Sequence, residues 1–182
     1  MKVFTPLFLA ILLAVNAQTP QESPELKEAA ALTDSVMKLF KERKFDEALR
    51  PAKRALEIRE RVLAPGDPQL SISLSYLADV YTARRDYGDA RKLLMRFLQN
   101  EEARVGPNDI GLASTLDRLA RLHRREGNYR DAEAAYTRAI ALKEKAFGRD
   151  HVEVAQSLVG LAELSRDHQN FDQAAPIYRR AL

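Results

Sequence analysis

Lys44-Phe45-Asp46-Glu47-Ala48 recurs as Asp86-Tyr87-Gly88-Asp89-Ala90, as Asn128-Tyr129-Arg130-Asp131-Ala132, and as Asn170-Phe171-Asp172-Gln173-Ala174. Each copy begins 42 residues after the one before it. A fixed period of this size marks stacked supersecondary units, each covering its neighbour, rather than one closed core. The fold class that follows is all-α.

Around each copy, apolar residues recur at three- and four-residue steps. Leu112, Leu116, Leu119, Ala120 and His123 form one stripe, and Ala132, Ala135, Tyr136, Ala139 and Ile140 form its partner. The pattern predicts helices over 25–42, 46–63, 69–84, 88–104, 111–126, 130–146, 153–168 and 172–182. Glu126-Gly127-Asn128 reads as a stop and a start, with Gly in the left-handed turn and Asn as a cap. Ala64-Pro65-Gly66-Asp67-Pro68, Val105-Gly106-Pro107-Asn108-Asp109 and Phe147-Gly148-Arg149-Asp150-His151 separate successive pairs.

The repeated phrase then acquires a mechanism. Its aromatics, Phe45, Tyr87, Tyr129 and Phe171, sit at the hairpin turn and plug the gap between two helices. Its alanines, Ala48, Ala90, Ala132 and Ala174, leave the turn where the helices lie closest. They face Val36, Ala78, Ala120 and Ala162 of the preceding helix. Pro51 and Pro176 fall inside second helices, and Pro51, being deeper, is expected to bend the first pair.

These positions resemble the tetratricopeptide repeat (TPR) family. They are the first-helix Leu (Leu32, Leu74, Leu116, Leu158), the second Leu (Leu77, Leu119, Leu161), the small residue after it, the turn aromatic and the Ala that follows. The 42-residue spacing and the linker Phe147-Gly148-Arg149-Asp150-His151 resemble the kinesin-light-chain-like subclass. The resemblance implies a right-handed α-solenoid of helix-turn-helix units, about 3.5–4 repeats. The repeats would span 25–66, 67–108, 109–150 and a shortened 151–182. Ser75-Tyr76, Asp117-Arg118 and Val159-Gly160 stand where this subclass often carries a pair of Asn. Binding of a peptide backbone through such Asn is therefore not implied.

Residues 1–17 read as a secretory leader, with Lys2, an apolar run of about 13 residues, and Val15-Asn16-Ala17 as a small-residue cleavage site. That run is too short for a hydrocarbon core of ~30 Å. Residues 18–24 read as a linker. The expected location is secreted or periplasmic, with no membrane insertion after cleavage. Cysteine is absent, so neither disulfides nor thiolate zinc sites can contribute.

No constellation for catalysis appears. His123, His151 and His168 lie in different helix pairs, and no phosphate loop, nucleophile elbow or His-Glu-x-x-His occurs. The expectation is a non-catalytic protein with no cofactor. Lys and Arg total 29 against 26 Asp and Glu, which is near balance rather than a nucleic-acid footprint. Carboxylates beside basic residues at i, i+4, such as Glu57 and Arg61, read as a solvated face.

In the TPR family the first helices line a concave groove. The resemblance places Thr33, Met37, Phe40 and Lys41 there, then Ser75, Asp79, Thr82 and Ala83. The third repeat adds Asp117, Arg121, Arg124 and Arg125, and the fourth Val159, Glu163, Arg166 and Asp167. Three arginines in one stripe suit carboxylates. The expected function is an interaction scaffold for a protein or peptide partner of acidic character, with no nucleic acid. The alternative is a structural or regulatory segment of a longer exported protein whose active domain lies beyond Leu182. The final helix ends about two turns early, which also allows self-association through its uncapped end.

Overall fold

The computed structural model describes residues 23–182. The leader expected over 1–17 and most of the 18–24 linker lie outside these residues. Eight α-helices follow one another: α1 Pro24–Lys41, α2 Phe45–Val62, α3 Pro68–Ala83, α4 Tyr87–Val105, α5 Ala113–Arg125, α6 Tyr129–Phe147, α7 Val152–Asp167 and α8 Phe171–Ala181. They form four antiparallel hairpins stacked into an α-solenoid, and each second helix packs on the first helix of the next hairpin.

Local chemistry accounts for the boundaries. Ser23 Oγ accepts from the Leu26 amide at 3.2 Å, and Pro24 opens α1. The expected linker therefore ends one residue early, because Pro24 is already helical. Asp67 caps α3 by accepting from Gln69 N at 2.8 Å. Asp109, 42 residues on, accepts from Gly111 N at 2.7 Å, but it caps a 3-10 turn, Ile110–Leu112, that precedes α5. His151 Nδ1 takes the same role for α7. At the hairpin turns the chain passes through positive φ at Arg43, Arg85, Gly127 and Gln169, again 42 apart. Only the third has the residue suited to that conformation. Asn128 makes no side-chain cap, contrary to expectation, whereas Asn170 does cap α8 through Gln173 N. Helix α2 runs unbroken through Pro51.

The small-residue contacts lie at the centre of each hairpin. Ala48, Ala90 and Ala132 have no exposed surface, and Ala174 is buried as well. Val36, Ala78, Ala120 and Ala162 are buried opposite them. Phe45, Tyr87 and Tyr129 are only half-buried, and the two tyrosines are finished by the following repeat. Arg125 lies over the Tyr87 ring at 5.4 Å, and the His168 ring lies 5.0 Å from that of Tyr129. Phe45 meets Phe40 of its own hairpin edge-on at 5.1 Å. Phe171 has no fifth repeat over it among the described residues and is 62% exposed, so it does not plug a gap as expected.

Charge pairing within helices runs at i, i+3 and is joined by pairing between helices and between repeats. Glu57 does not pair with Arg61: it pairs with Arg54 at 3.1 Å, and Arg61 reaches Glu25 on α1 at 2.8 Å. Along the outer helices, Arg96 pairs with Glu60 at 2.6 Å, Arg138 with Glu102 and Arg180 with Glu144. Arg54, Arg96, Arg138 and Arg180 are spaced by 42, as are the three glutamates. Exposed pairs of this kind contribute at most about 1 kcal/mol each, so they set register more than stability.

Two substitutions test the packing. Ala132→Leu should destabilise the fold by about 1–3 kcal/mol through overpacking. Gly160 of α7 lies against the buried Tyr136 ring, and an added Cβ would sit 2.5 Å from Cε1. Gly160→Ala should therefore destabilise, although Ala is favoured over Gly by about 1 kcal/mol in a free helix. Urea unfolding measures both; a more stable Gly160→Ala protein would contradict the close approach.

Candidate functional site

First helices contact one another directly, α1 with α3 and α5 with α7, which makes their shared surface the inner face. Its residues divide into three groups.

The first group is held by neighbouring repeats. Arg118 Nη1 donates to Ser75 Oγ at 2.9 Å and its Nη2 pairs with Asp79. Burial raises the Asp79 pKa, and Arg118 only partly opposes this. Arg124 pairs with Glu163 and lies 3.7 Å from Asp167. Burial is the largest single influence and works against the Arg124 charge, but the hydrogen bond to Glu163 together with the charges of Glu163 and Asp167 outweighs it and raises the pKa. Thr82 donates back to Ala78 O at 2.7 Å within its own helix. Ser75, Asp79, Arg124 and Glu163 thus tie repeats together across the inner surface. Arg118 was not among the expected groove residues; its offset of 39 from Asp79 matches that of Glu163 from Arg124.

The second group is not on the surface. Asp117 is 7% exposed, enclosed by α5, α6 and α7. Its carboxylate accepts from Lys143 Nζ at 2.8 Å and from Ser157 Oγ at 2.8 and 2.9 Å. Lys143 also donates to Ser157 Oγ and to the Glu153 carbonyl at 3.0 Å. This corrects the placement of Asp117 as a groove contact: a buried carboxylate needs its partners, and the lysine that meets it comes from α6.

The third group is open. Arg121 and Arg125 are exposed, and neither forms an ion pair among the described residues. Arg125 lies over Tyr87 and its Nη1 donates to the hydroxyl at 3.2 Å. A guanidinium stacked on a ring keeps its remaining donors for a ligand. Arg166 is exposed too, 3.4 Å from Asp167. Toward the N-terminal end the inner face is uncharged where Tyr76 meets Met37 Sδ at 3.0 Å and where Phe40 is exposed.

His123 lies on the other side of α5, in an open hollow of about 440 Å³ floored by Leu98, Leu116, Leu119 and Ala135. One repeat earlier Tyr81 and Leu93 occupy the positions of His123 and Ala135, and both join the core cluster. The hollow lies where both positions carry smaller side chains. His123 Nδ1 lies 3.9 Å from Asp131. Burial lowers its pKa from the ordinary 6.5 against the pull of Asp131. Among the described residues no group of three metal-ligating side chains occurs, and no helix is long and apolar enough to cross a membrane.

Two outcomes follow from these placements. Asp117→Ala leaves the buried Lys143 with only the more exposed Glu153 carboxylate at 3.5 Å, and should cost about 3 kcal/mol of stability. A change within a few tenths in chemical denaturation would return Asp117 to the surface. For His123, the unfolded chain binds a proton below about 6.5, whereas the folded chain does so only at lower pH. Stability should therefore fall as the pH drops through and below that value. His123→Tyr should remove that component and raise the Tm by filling the hollow, which thermal scans at several pH values would read.

Comparison with known proteins fits this architecture. The tetratricopeptide repeat family profile matches residues 28–103 and 111–182. No curated protein matches the sequence. Among solved structures, BtubC (BKLC) from P. vanneervenii superposes with a TM-score of 0.76 at 17% identity, over 84% of this chain and 61% of that one. This chain thus spans less than two thirds of that relative. A putative kinesin light chain from Podosopora anserina, with nearly identical TPR-like repeats, gives a TM-score of 0.75 at 16% identity, over 86% of this chain and 74% of the other. At such identities the likeness is one of fold. The profile covers most of the chain: the protein belongs to the tetratricopeptide repeat family, with the fold of kinesin-light-chain-like repeat proteins, a family whose repeats typically serve as non-catalytic scaffolds for protein partners.

Proposed function

We propose that this scaffold binds an extended, acidic segment of a partner protein along its inner face, at Arg121 and Arg125. The observation that carries the reading is the contrast within the arginine stripe. Arg124 is neutralised by Glu163 and Asp167, while Arg121 and Arg125 have no carboxylate among the described residues. Fork-shaped guanidiniums suit carboxylates, and the tyrosine under Arg125 limits the entropy lost on binding. The leader-like residues 1–17 support an exported location for this encounter. An extended glutamate-rich peptide with a fluorescent label serves as the probe. Its anisotropy should rise with the native protein and weaken with salt. The rise should be lost with Arg121→Glu combined with Arg125→Glu. Equal binding by native and doubly substituted proteins of equal Tm would exclude the inner face as the site.

A further inference from the structure

The three junctions between hairpins are not equivalent. At the first, Arg59 of α2 is 4% exposed, and its Nη1 donates to Thr33 Oγ1 of α1 at 2.9 Å and to Ser73 Oγ of α3. At the third, Lys143 of α6 bridges Asp117 of α5 and Ser157 of α7. The two sets are related by two repeat lengths: 33, 59 and 73 become 117, 143 and 157. Each clamps three helices with one buried cation. The intermediate set is Ser75, Glu101 and Thr115, and there the clamp is absent. Glu101 carries the opposite charge and pairs with Arg104 of its own helix. Burial would raise its pKa, but the hydrogen bonds and charge of Arg104 help to hold it low. Ser75 instead receives Arg118, which with Asp79 forms a half-buried bridge between α3 and α5 that does not engage α4.

The α4–α5 packing is also the thinnest of the three second-helix-to-first-helix contacts, and the 3-10 turn 110–112 lies between these helices. Leu119 and Leu122 of α5 still join the apolar cluster of the first two hairpins. Apolar contact is non-directional and tolerates a change of angle, whereas a buried hydrogen-bonded cation does not, because displacement leaves it unsatisfied. Arg91–Glu126 and Arg138–Glu102 also cross the second junction, as half-buried pairs rather than as a cation enclosed between three helices.

We propose that the solenoid consists of two locked halves, residues 24–105 and 113–181, joined by a hinge at the second junction. The hinge lies between Ser75 and Asp79 on one side and Arg121 and Arg125 on the other, so its angle sets the width of the inner face. The inference rests on the buried clamps and is independent of what binds there.

Because the chain has no cysteine, introduced pairs can be labelled uniquely. Spin labels on Arg50→Cys with Gln99→Cys span the first junction. Gln99→Cys with Ala141→Cys span the second, and Ala141→Cys with Gln173→Cys the third. All four positions are exposed, on α2, α4, α6 and α8. The distance distribution across the second junction should be the broadest of the three. Installing the missing clamp with Ser75→Asp, Glu101→Lys and Thr115→Ser should narrow it to match the others. Equal widths at all three junctions, or the greatest width at the first or third, would overturn the hinge. The three widths decide the matter alone if the clamped variant fails to fold.

Discussion

A two-helix hairpin of this size cannot bury its own apolar stripe, and every other feature of the chain follows from that constraint. Each hairpin must be closed by the next one, so the residues that matter recur at the spacing of one hairpin. The closest approach is the contact of small residues, Ala78 with Ala90 and Ala120 with Ala132, all without exposed surface. Where a side chain is missing altogether, at Gly160, a neighbouring tyrosine ring occupies the space. Phe171 lies bare where Tyr129 is covered by His168, and a hollow of about 720 Å³ opens beside Leu32, Leu49 and Pro51 on the first hairpin.

Polar residues obey the same period but answer to a different rule. On the outer helices the arginine and glutamate rows cost little to expose and adjust the register of neighbours that apolar contact already holds together. Inside the junctions, a cation must find acceptors from both flanking helices at once or lose more than it gains. The repeat array meets that demand at the first and third junctions with different chemistry, hydroxyls for Arg59 Nη1, whose Nε stays unpaired, and a carboxylate for Lys143. Equal spacing therefore conceals unequal rigidity. The inner face inherits this pattern, since the residues that hold repeats together and those left for a partner alternate along one stripe.

Helix limits, turns and the small-residue contacts were legible because their causes lie within a few residues: Pro24 after Ser23, Asp67 before Pro68, Gly127 at a left-handed turn. The departures are also local, as at Asn128, where backbone bonds complete the turn without its side chain. The site was legible only as a set of positions. Asp117, Arg124 and Arg121 occupy one stripe of one helix, and nothing local separates them. Asp117 is claimed by Lys143, 26 residues on, and Arg124 by Glu163, 39 residues on, while Arg121 meets neither. The outer arginine row was present in the 42-residue spacing, but reading it requires tracking exposed polar residues as closely as apolar ones.

The sequence by itself determined the secondary structure, the hairpin unit and its repetition, because period, capping and small-residue spacing are properties of neighbouring residues. Tertiary structure decided which charges are consumed and which are free. Ion pairing depends on the offset between one hairpin and the next, and that offset is set by packing rather than by proximity along the chain.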